Sequence, residues 1–235
     1  MTEIKVAHQD RPKKIRRIFE SIAFRYDLLN HLLSFGMDFY WRRKALKLTG
    51  VGSETVLLDV ACGTGDFSVE ARKQGVINII GADFSYNMLN LFNRKCDWIK
   101  GKNFQTAAEY MPLKDKSVTN ITVAFGVRNF YDIPMAFENF HRVLNPKGKV
   151  TILEFRLPKN RILKFMYNSY FKYVLPLVGG LISRNYEAYK YLPESVEEFD
   201  KKVDLVELLE KAGFREIKRS SLTLGIVQVV IGQKL

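Results

Sequence analysis

Short apolar runs alternate with helical stretches through the middle of the chain. "TVLLDVA" (55–61), "VINIIGAD" (76–83), "VTNITVAF" (118–125) and "KVTILEF" (149–155) are rich in apolar and β-branched residues, and "NFQTAA" (103–108) is a weaker run of the same kind. Continuous apolar strands of this sort are buried on both faces of a sheet. Between them, "DFSVEARKQ" (66–74), "SYNMLNLFNRKCDW" (85–98) and "MAFENFHRVL" (135–144) read as helices, the last stopping at Asn145-Pro146-Lys147-Gly148. Such alternation predicts an α/β domain with a mostly parallel sheet and helices on both faces.

The pattern changes after Phe155. "RILKFMYNSYFKYVLPLVGGLIS" (161–183) reads as amphipathic helix broken at Pro176 and Gly179-Gly180. "VEEFDKKVDLVELLEKAGF" (196–214) reads as one regular helix ending at Gly213, and "REIKRSSLTLGIVQVVIGQK" (215–234) as a closing antiparallel hairpin. The predicted organisation is a helical prefix or lid over residues 1–50, then a domain over 51–235 with a helical insertion at 157–195.

Composition narrows the setting. Two cysteines, Cys62 and Cys96, are too few for a disulfide framework, and no Cys/His spacing suggests a metal. A reducing, cytoplasmic location is expected. Met1 to Arg17 is polar and charged, with no apolar core of a secretory signal. The longest apolar stretch, "VLPLVGGLI" (174–182), is far short of the roughly 20 residues of a membrane span. The net charge is +12, and the first 50 residues hold 11 basic against 5 acidic side chains, mostly in "RPKKIRR" (11–17) and "WRRKALK" (41–47). A basic face suits nucleic acid, an anionic membrane or plain solvation.

"LLDVACGTGDFS" (57–68) carries the candidate chemistry. A strand runs into Gly63-Thr64-Gly65 and a helix follows, so the backbone can turn tightly and approach a ligand. Asp83 ends the next strand, 18 residues beyond Gly65. A carboxylate there is placed to accept from both ribose hydroxyls of a nucleoside. Ser68 replaces the third glycine of a dinucleotide fingerprint. Asp66 heads the helix, where it opposes a phosphate and suits an amine. With Asp59 adding negative charge, S-adenosylmethionine fits these electrostatics best; a helix cap and tight turn would explain the loop but not Asp83. The loop "AAEYMPLKDKSV" (107–118) would bring Ala107, Ala108 and Met111 to the adenine edge.

These stretches resemble the ubiquinone/menaquinone biosynthesis C-methyltransferases, a family of class I S-adenosylmethionine-dependent enzymes with a Rossmann-like, seven-stranded sheet. The resemblance runs almost end to end. Its most specific segments are "RYDLLNHLLSFG" (25–36), "FGVRN" (125–129) and "YKYLPESV" (189–196). It implies methyl transfer to a ring carbon of a polyprenylated quinol. Demethylmenaquinol is the leading substrate, with a methoxy-polyprenyl-benzoquinol as a second in a dual-substrate enzyme. Thr64, Asp83 with Phe84 beside it, and the Ala107-Ala108 pair match cofactor positions. The family often has Asp or Asn where this chain has Ala107, which leaves only backbone contacts there.

The chemistry needs alignment and an electron-rich ring. A quinolate supplies the latter, and a guanidinium stabilises an oxyanion without losing its own proton. Arg128, at the end of the fourth strand, is the expected catalytic residue and quinol contact. Asn129 would orient a water or the quinol oxygen. Tyr26 and His31 of the prefix are candidate substrate contacts, His31 also a candidate base; Cys62 and His141 read as structural. Phe165, Met166, Tyr167, Tyr170, Phe171 and Tyr173 offer apolar surface for an isoprenoid tail, or ordinary helix packing. With the basic prefix, this suggests peripheral docking on an anionic membrane, at the inner face of the cytoplasmic membrane. The reading allows a homodimer. A nucleic-acid methyltransferase is disfavoured, because "AFGVRN" stands where an Asn/Asp-Pro-Pro-aromatic motif would be expected; no nucleic-acid partner is expected.

Overall fold

The computed structural model describes residues 17–18, 20–21, 24–183 and 186–235. All but Arg17 of the basic segment 11–17 lies outside them.

Each apolar run becomes a strand: Val56–Val60 (β1), Asn78–Asp83 (β2), Asn103–Gln105 (β3), Val118–Ala124 (β4) and Leu144–Phe155 (β5). These five are parallel. Arg215–Leu222 (β6) and Val227–Gln233 (β7) form the expected antiparallel hairpin, with β7 pairing against β5. The seven strands lie in the order β3-β2-β1-β4-β5-β7-β6. Chain direction across the sheet reverses between β1 and β4, so a crevice opens at their carboxyl ends.

Helices cover both faces. A helix over residues 24–33 (α1) precedes Met37–Thr49 (α2). Asp66–Lys73 (α3), Tyr86–Lys95 (α4) and Ile133–Val143 (α5) connect the parallel strands. Leu46 and Ala45 of α2, Phe67 and Ala71 of α3, and Phe92 of α4 pack with Leu57, Leu153 and Val229 on one face. On the other, Phe137 and Phe140 of α5 pack with Ile121, Ile152 and Val230. Thus α2 is built into the core of the sheet rather than laid over it.

The insertion departs from its sequence reading. Arg161–Ser169 (α6) passes through a π-helical turn, Tyr170–Val174, into Leu175–Ser183 (α7). Gly179 and Gly180 lie inside α7 and do not break it. Pro176 has no N–H to donate, and the wider turn just before it absorbs the misfit. The helix expected over 196–214 is two helices, Tyr186–Lys202 (α8) and Leu205–Lys211 (α9). Asp204 separates them, its carboxylate accepting from the Val206 N–H at 2.9 Å as an N-cap. Asn145–Gly148, where the helix was expected to stop, sits inside β5 as a bulge, with a register shift against β4.

Candidate functional site

Two cavities meet at the carboxyl ends of the strands. The smaller, about 110 Å³, is walled by Gly63, Asp83, Phe84, Ala107, Ala108 and Asn129. Asp83 anchors it. Its Oδ2 accepts from the Gly63 N–H and its Oδ1 from the Ser85 N–H, both at 2.8 Å. A carboxylate offers about four lone-pair sites, so acceptor capacity remains for a ligand hydroxyl. Burial pushes the Asp83 carboxyl up to about 6, against the pull of those backbone donors. Phe84, Met88, Ala107 and Ala108 give this cavity an apolar wall. Met111 does not reach it and belongs to the sheet core.

Several expected cofactor residues build the loop without lining the cavity. Asp59 is buried beneath it, accepting from the Ser68 hydroxyl at 2.6 Å and the Thr122 hydroxyl at 3.0 Å. This corrects its expected place as a ligand contact. It also accounts for Ser68 at the third-glycine position, because a glycine could not satisfy Asp59. Gly65 has φ +88°, and a Cβ there would lie 2.1 Å from the Phe92 ring. The Thr64 hydroxyl donates to Asp27 of α1.

Asp66 is also corrected. Its carboxylate is ion-paired with Lys95 and lies 3.8 Å from the Arg42 guanidinium, so it clamps α1 and α2 onto the loop rather than awaiting an amine. His31 joins the same network, with Nδ1 2.7 Å from Asp38 Oδ2 and Nε2 3.7 Å from Asp66. It lines neither cavity, which argues against a direct substrate contact. Ligand atoms of His31, Asp38 and Asp66 lie within 4.8 Å of one another, the spacing of a metal cluster. Arg42 already supplies the cation, 2.5 Å from Asp38. Arg42 of "WRRKALK" is therefore buried, not part of a basic face.

The larger cavity, about 380 Å³, is apolar, with Trp41, Phe155, Tyr170 and Phe171 among its walls. Tyr26 and Phe125 line both cavities and mark where they join. Phe125 has φ +56°, a left-handed conformation that costs a bulky residue energy and concentrates at functional sites. It is held there by its N–H, which donates to Leu153 O at 2.7 Å, and by its carbonyl, which accepts from Arg128. Its ring packs 4.6 Å from that of Phe155. Gly126 follows because the ends of β1 and β4 approach closely: a Cβ would meet that of Ala61 at 2.6 Å.

Arg128 and Asn129 sit in the turn Val127–Asn129 and divide their work. Arg128 faces the apolar cavity and Asn129 the smaller one. Arg128 Nη1 donates to Glu154 Oε1 at 2.8 Å, and its Nε donates to the Ser195 hydroxyl at 3.4 Å. Its Nη2 has no protein partner among the described residues. Asn129 Oδ1 accepts from the Tyr191 hydroxyl of α8 at 2.9 Å, tying the insertion to the site.

Sequence reasoning missed Glu154, Phe125 and Glu109. Glu109 Oε1 accepts from the N–H groups of Tyr131 and Asp132 at 2.7 and 3.0 Å, pinning the loop after the Arg128 turn. A carboxylate embedded in the apolar "TILEF" was a usable signal for Glu154.

Residues 5–234 match the ubiE/COQ5 methyltransferase family. The chain is 41% identical over 231 residues to the "Ubiquinone/menaquinone biosynthesis C-methyltransferase UbiE" of Geotalea uraniireducens, covering 96% of this chain and 98% of the relative. It is 39% identical over 220 residues to the "Demethylmenaquinone methyltransferase" of Thermus thermophilus, covering 92% and 100%. Its fold resembles the crystal structure of a SAM-dependent methyltransferase from Thermotoga maritima, with TM-score 0.65 and 18% identity over 93% of this chain and 99% of that one.

Proposed function

The chain belongs to the ubiE/COQ5 methyltransferase family, and we propose on that footing that it methylates a ring carbon of a polyprenylated quinol, converting demethylmenaquinol to menaquinol. It uses S-adenosylmethionine as methyl donor. The observation that carries this reading is the meeting of the two cavities at Tyr26 and Phe125. One offers a buried carboxylate with spare lone pairs. The other offers largely apolar walls and the guanidinium of Arg128, the second guanidinium there, Arg42, being paired with Asp38.

The residues of the smaller cavity fit the donor. Asp83 would hold the ribose hydroxyls, while Phe84, Met88, Ala107 and Ala108 would flank the adenine. Bound there, S-adenosylmethionine supplies an electrophilic methyl group. Everything else is positioning and electrostatics from the chain. Phe125 and Tyr26 fix the passage between donor and acceptor. Arg128 stabilises the quinolate oxyanion from the apolar side, where low polarity strengthens the interaction. Asn129, held by Tyr191, orients polar groups on the donor side.

The isoprenoid tail leaves the apolar cavity along the insertion. Phe165, Leu177 and Leu181 expose 74%, 61% and 75% of their surface there, with Arg161, Lys164 and Lys172 exposed among them. An apolar face edged with basic side chains supports peripheral docking on an anionic membrane. Among the described residues no helix is long and apolar enough to cross one.

The test supplies labelled S-adenosylmethionine with demethylmenaquinol and, separately, with the methoxy-polyprenyl-benzoquinol. Label in menaquinol is expected; label in neither product overturns the reading, and label in both marks a dual-substrate enzyme. Arg128→Ala should lower kcat by about 10²-fold or more while leaving donor affinity within a few-fold. Unchanged turnover would remove Arg128 from the chemistry.

A further inference from the structure

Arg128 stabilises an oxyanion but cannot create one, since a guanidinium keeps its protons. Some other group must take the quinol hydroxyl proton. Among the described residues, four buried polar atoms have no hydrogen-bond partner: Arg42 Nε, Glu154 Oε2, Tyr167 OH and Gln228 Oε1. Three of these lie around Arg128. Glu154 stands directly behind it, bonded through Oε1. Tyr167 lines the apolar cavity beside it. Gln228 of β7 is the cross-strand partner of Glu154 in β5, so the two side chains share a face of the sheet. Glu154 is fully buried, with Gln228 and Tyr167 4% and 6% exposed. An unsatisfied buried carboxylate oxygen is costly and calls for a function or a water.

We propose that Glu154 is the proton acceptor of the reaction, receiving the quinol hydroxyl proton by way of a water in the polar corner formed with Tyr167, Gln228 and Arg128. This inference rests on the quinol-methylating reading above. The quinol O–H bond breaks, a carboxyl O–H forms on Glu154, and the electron pair stays on the quinol oxygen beside Arg128. The ring carbon gains the methyl group as the sulfur–methyl bond breaks. The proton on that carbon then leaves to solvent, and the aromatic oxyanion takes its own proton back from Glu154. One proton is released overall.

Asp38 also lines the apolar cavity, but Arg42, His31 and the Ser34 hydroxyl occupy its carboxylate, which leaves Glu154, with its unpartnered Oε2, as the acceptor. Burial pushes the Tyr167 phenol far up, so it stays protonated and can only donate or relay. Asp200 of α8 lies 3.5 Å from Arg156, in an ion pair of its own. Ser195, also of α8, faces Arg128 with a neutral hydroxyl. Burial holds the Glu154 carboxyl above its usual range despite Arg128, nearer the pH at which a base works well. On its far side Arg128 also lines a cleft with Ser195 and Glu198, which brings solvent close to this corner.

Glu154→Gln is the discriminating variant. Its amide oxygen can still accept from Arg128 and from the Phe155 N–H, as Oε1 does now at 2.8 Å. Donor affinity, thermal melting and the pH profile of kcat at saturating substrates are measured for wild type and variant. The proposal expects a kcat loss on the order of 10²–10⁴-fold. It also expects near-native donor affinity and disappearance of the acid limb of the wild-type profile. A kcat loss with the acid limb retained would make Glu154 a positioning residue for Arg128 and overturn the proposal, as would unchanged kcat. If the variant does not fold, the wild-type profile decides: without an acid limb there is no titrating base. Wild-type labelling of demethylmenaquinol in the same assay separates these outcomes from failure of the functional reading, which would take the proposal with it.

Discussion

Asp83 holds its proton up to about pH 6 because burial outweighs the backbone donors Ser85, Gly63 and Phe84. The ribose hydroxyls need the ionised form as acceptor. Donor affinity should therefore weaken about tenfold between pH 7.5 and pH 5, as the binding-competent fraction falls. Calorimetric titration at the two pH values checks this, and Asp83→Asn should bind weakly at both. The stability sign follows from the same shift. Between the unfolded carboxyl range near 4 and about 6, the native state holds the proton and the unfolded state does not. Asp83 thus costs the free protein stability as pH rises through that window. Asp83→Asn leaves the N–H of Gly63 or of Ser85 facing an amide NH2, and because the wild type is less favoured at higher pH, the stability lost by the variant should be smaller at pH 7.5 than at pH 5 in urea denaturation. Asp83 was legible in the sequence because an acid at a strand tip after a glycine loop has few structural uses. Arg128 was legible for a similar reason. Glu154 was not singled out, because its meaning depends on being opposite Gln228 and behind Arg128, neither of which is near it in sequence.

At the scale of elements, caps fix where helices begin. Asp132 Oδ1 accepts from the Met135 N–H at 2.9 Å and heads α5, which carries Phe137 and Phe140 into the core. Asp132→Ala should cost about 1 kcal/mol, a fall in Tm of about 2–4 °C for a chain of this size. Asn160 caps α6 in the same way, accepting from the Ile162 and Leu163 N–H groups at 2.9 and 3.2 Å. That helix, however, exposes Ile162, Phe165 and Met166 and buries only Tyr167 of its own length. Asn160→Ala should therefore speed hydrogen exchange over residues 161–169 while leaving global Tm nearly unchanged. Equal loss at both sites would mean that the insertion folds as one unit with the sheet. The strands and the first helices were readable from periodicity. The split of 196–214 at Asp204 was hidden, since apolar spacing on either side of a one-residue cap looks continuous.

For the whole molecule, the donor cavity and the apolar cavity open from one crevice, and the insertion carries an apolar, basic-edged face beside the latter. Anionic vesicles should bind the protein at low salt and release much of it at high salt, because the attraction is screened. Phe165→Glu should weaken sedimentation with vesicles without lowering Tm, as its side chain is already solvent-facing. No binding to anionic vesicles at any salt would count against membrane docking. The clamp of Asp66, Lys95, Arg42, Asp38 and His31 belongs to this scale too. It fastens α1 and α2 to the glycine loop.

Along the chain alone the strands, their helical covers and the glycine loop are readable, and Asp83 and Arg128 stand out as candidates for chemistry. Those follow from local periods and from residue types that have few other uses at strand ends. Which carboxylates open onto a cavity is fixed by folding. Asp59 and Asp66 read as cofactor charges along the chain, yet folding buries one against Ser68 and Thr122 and pairs the other with Lys95 and Arg42. Whether a charge is available or spent depends on partners brought from distant segments, and no local pattern records them.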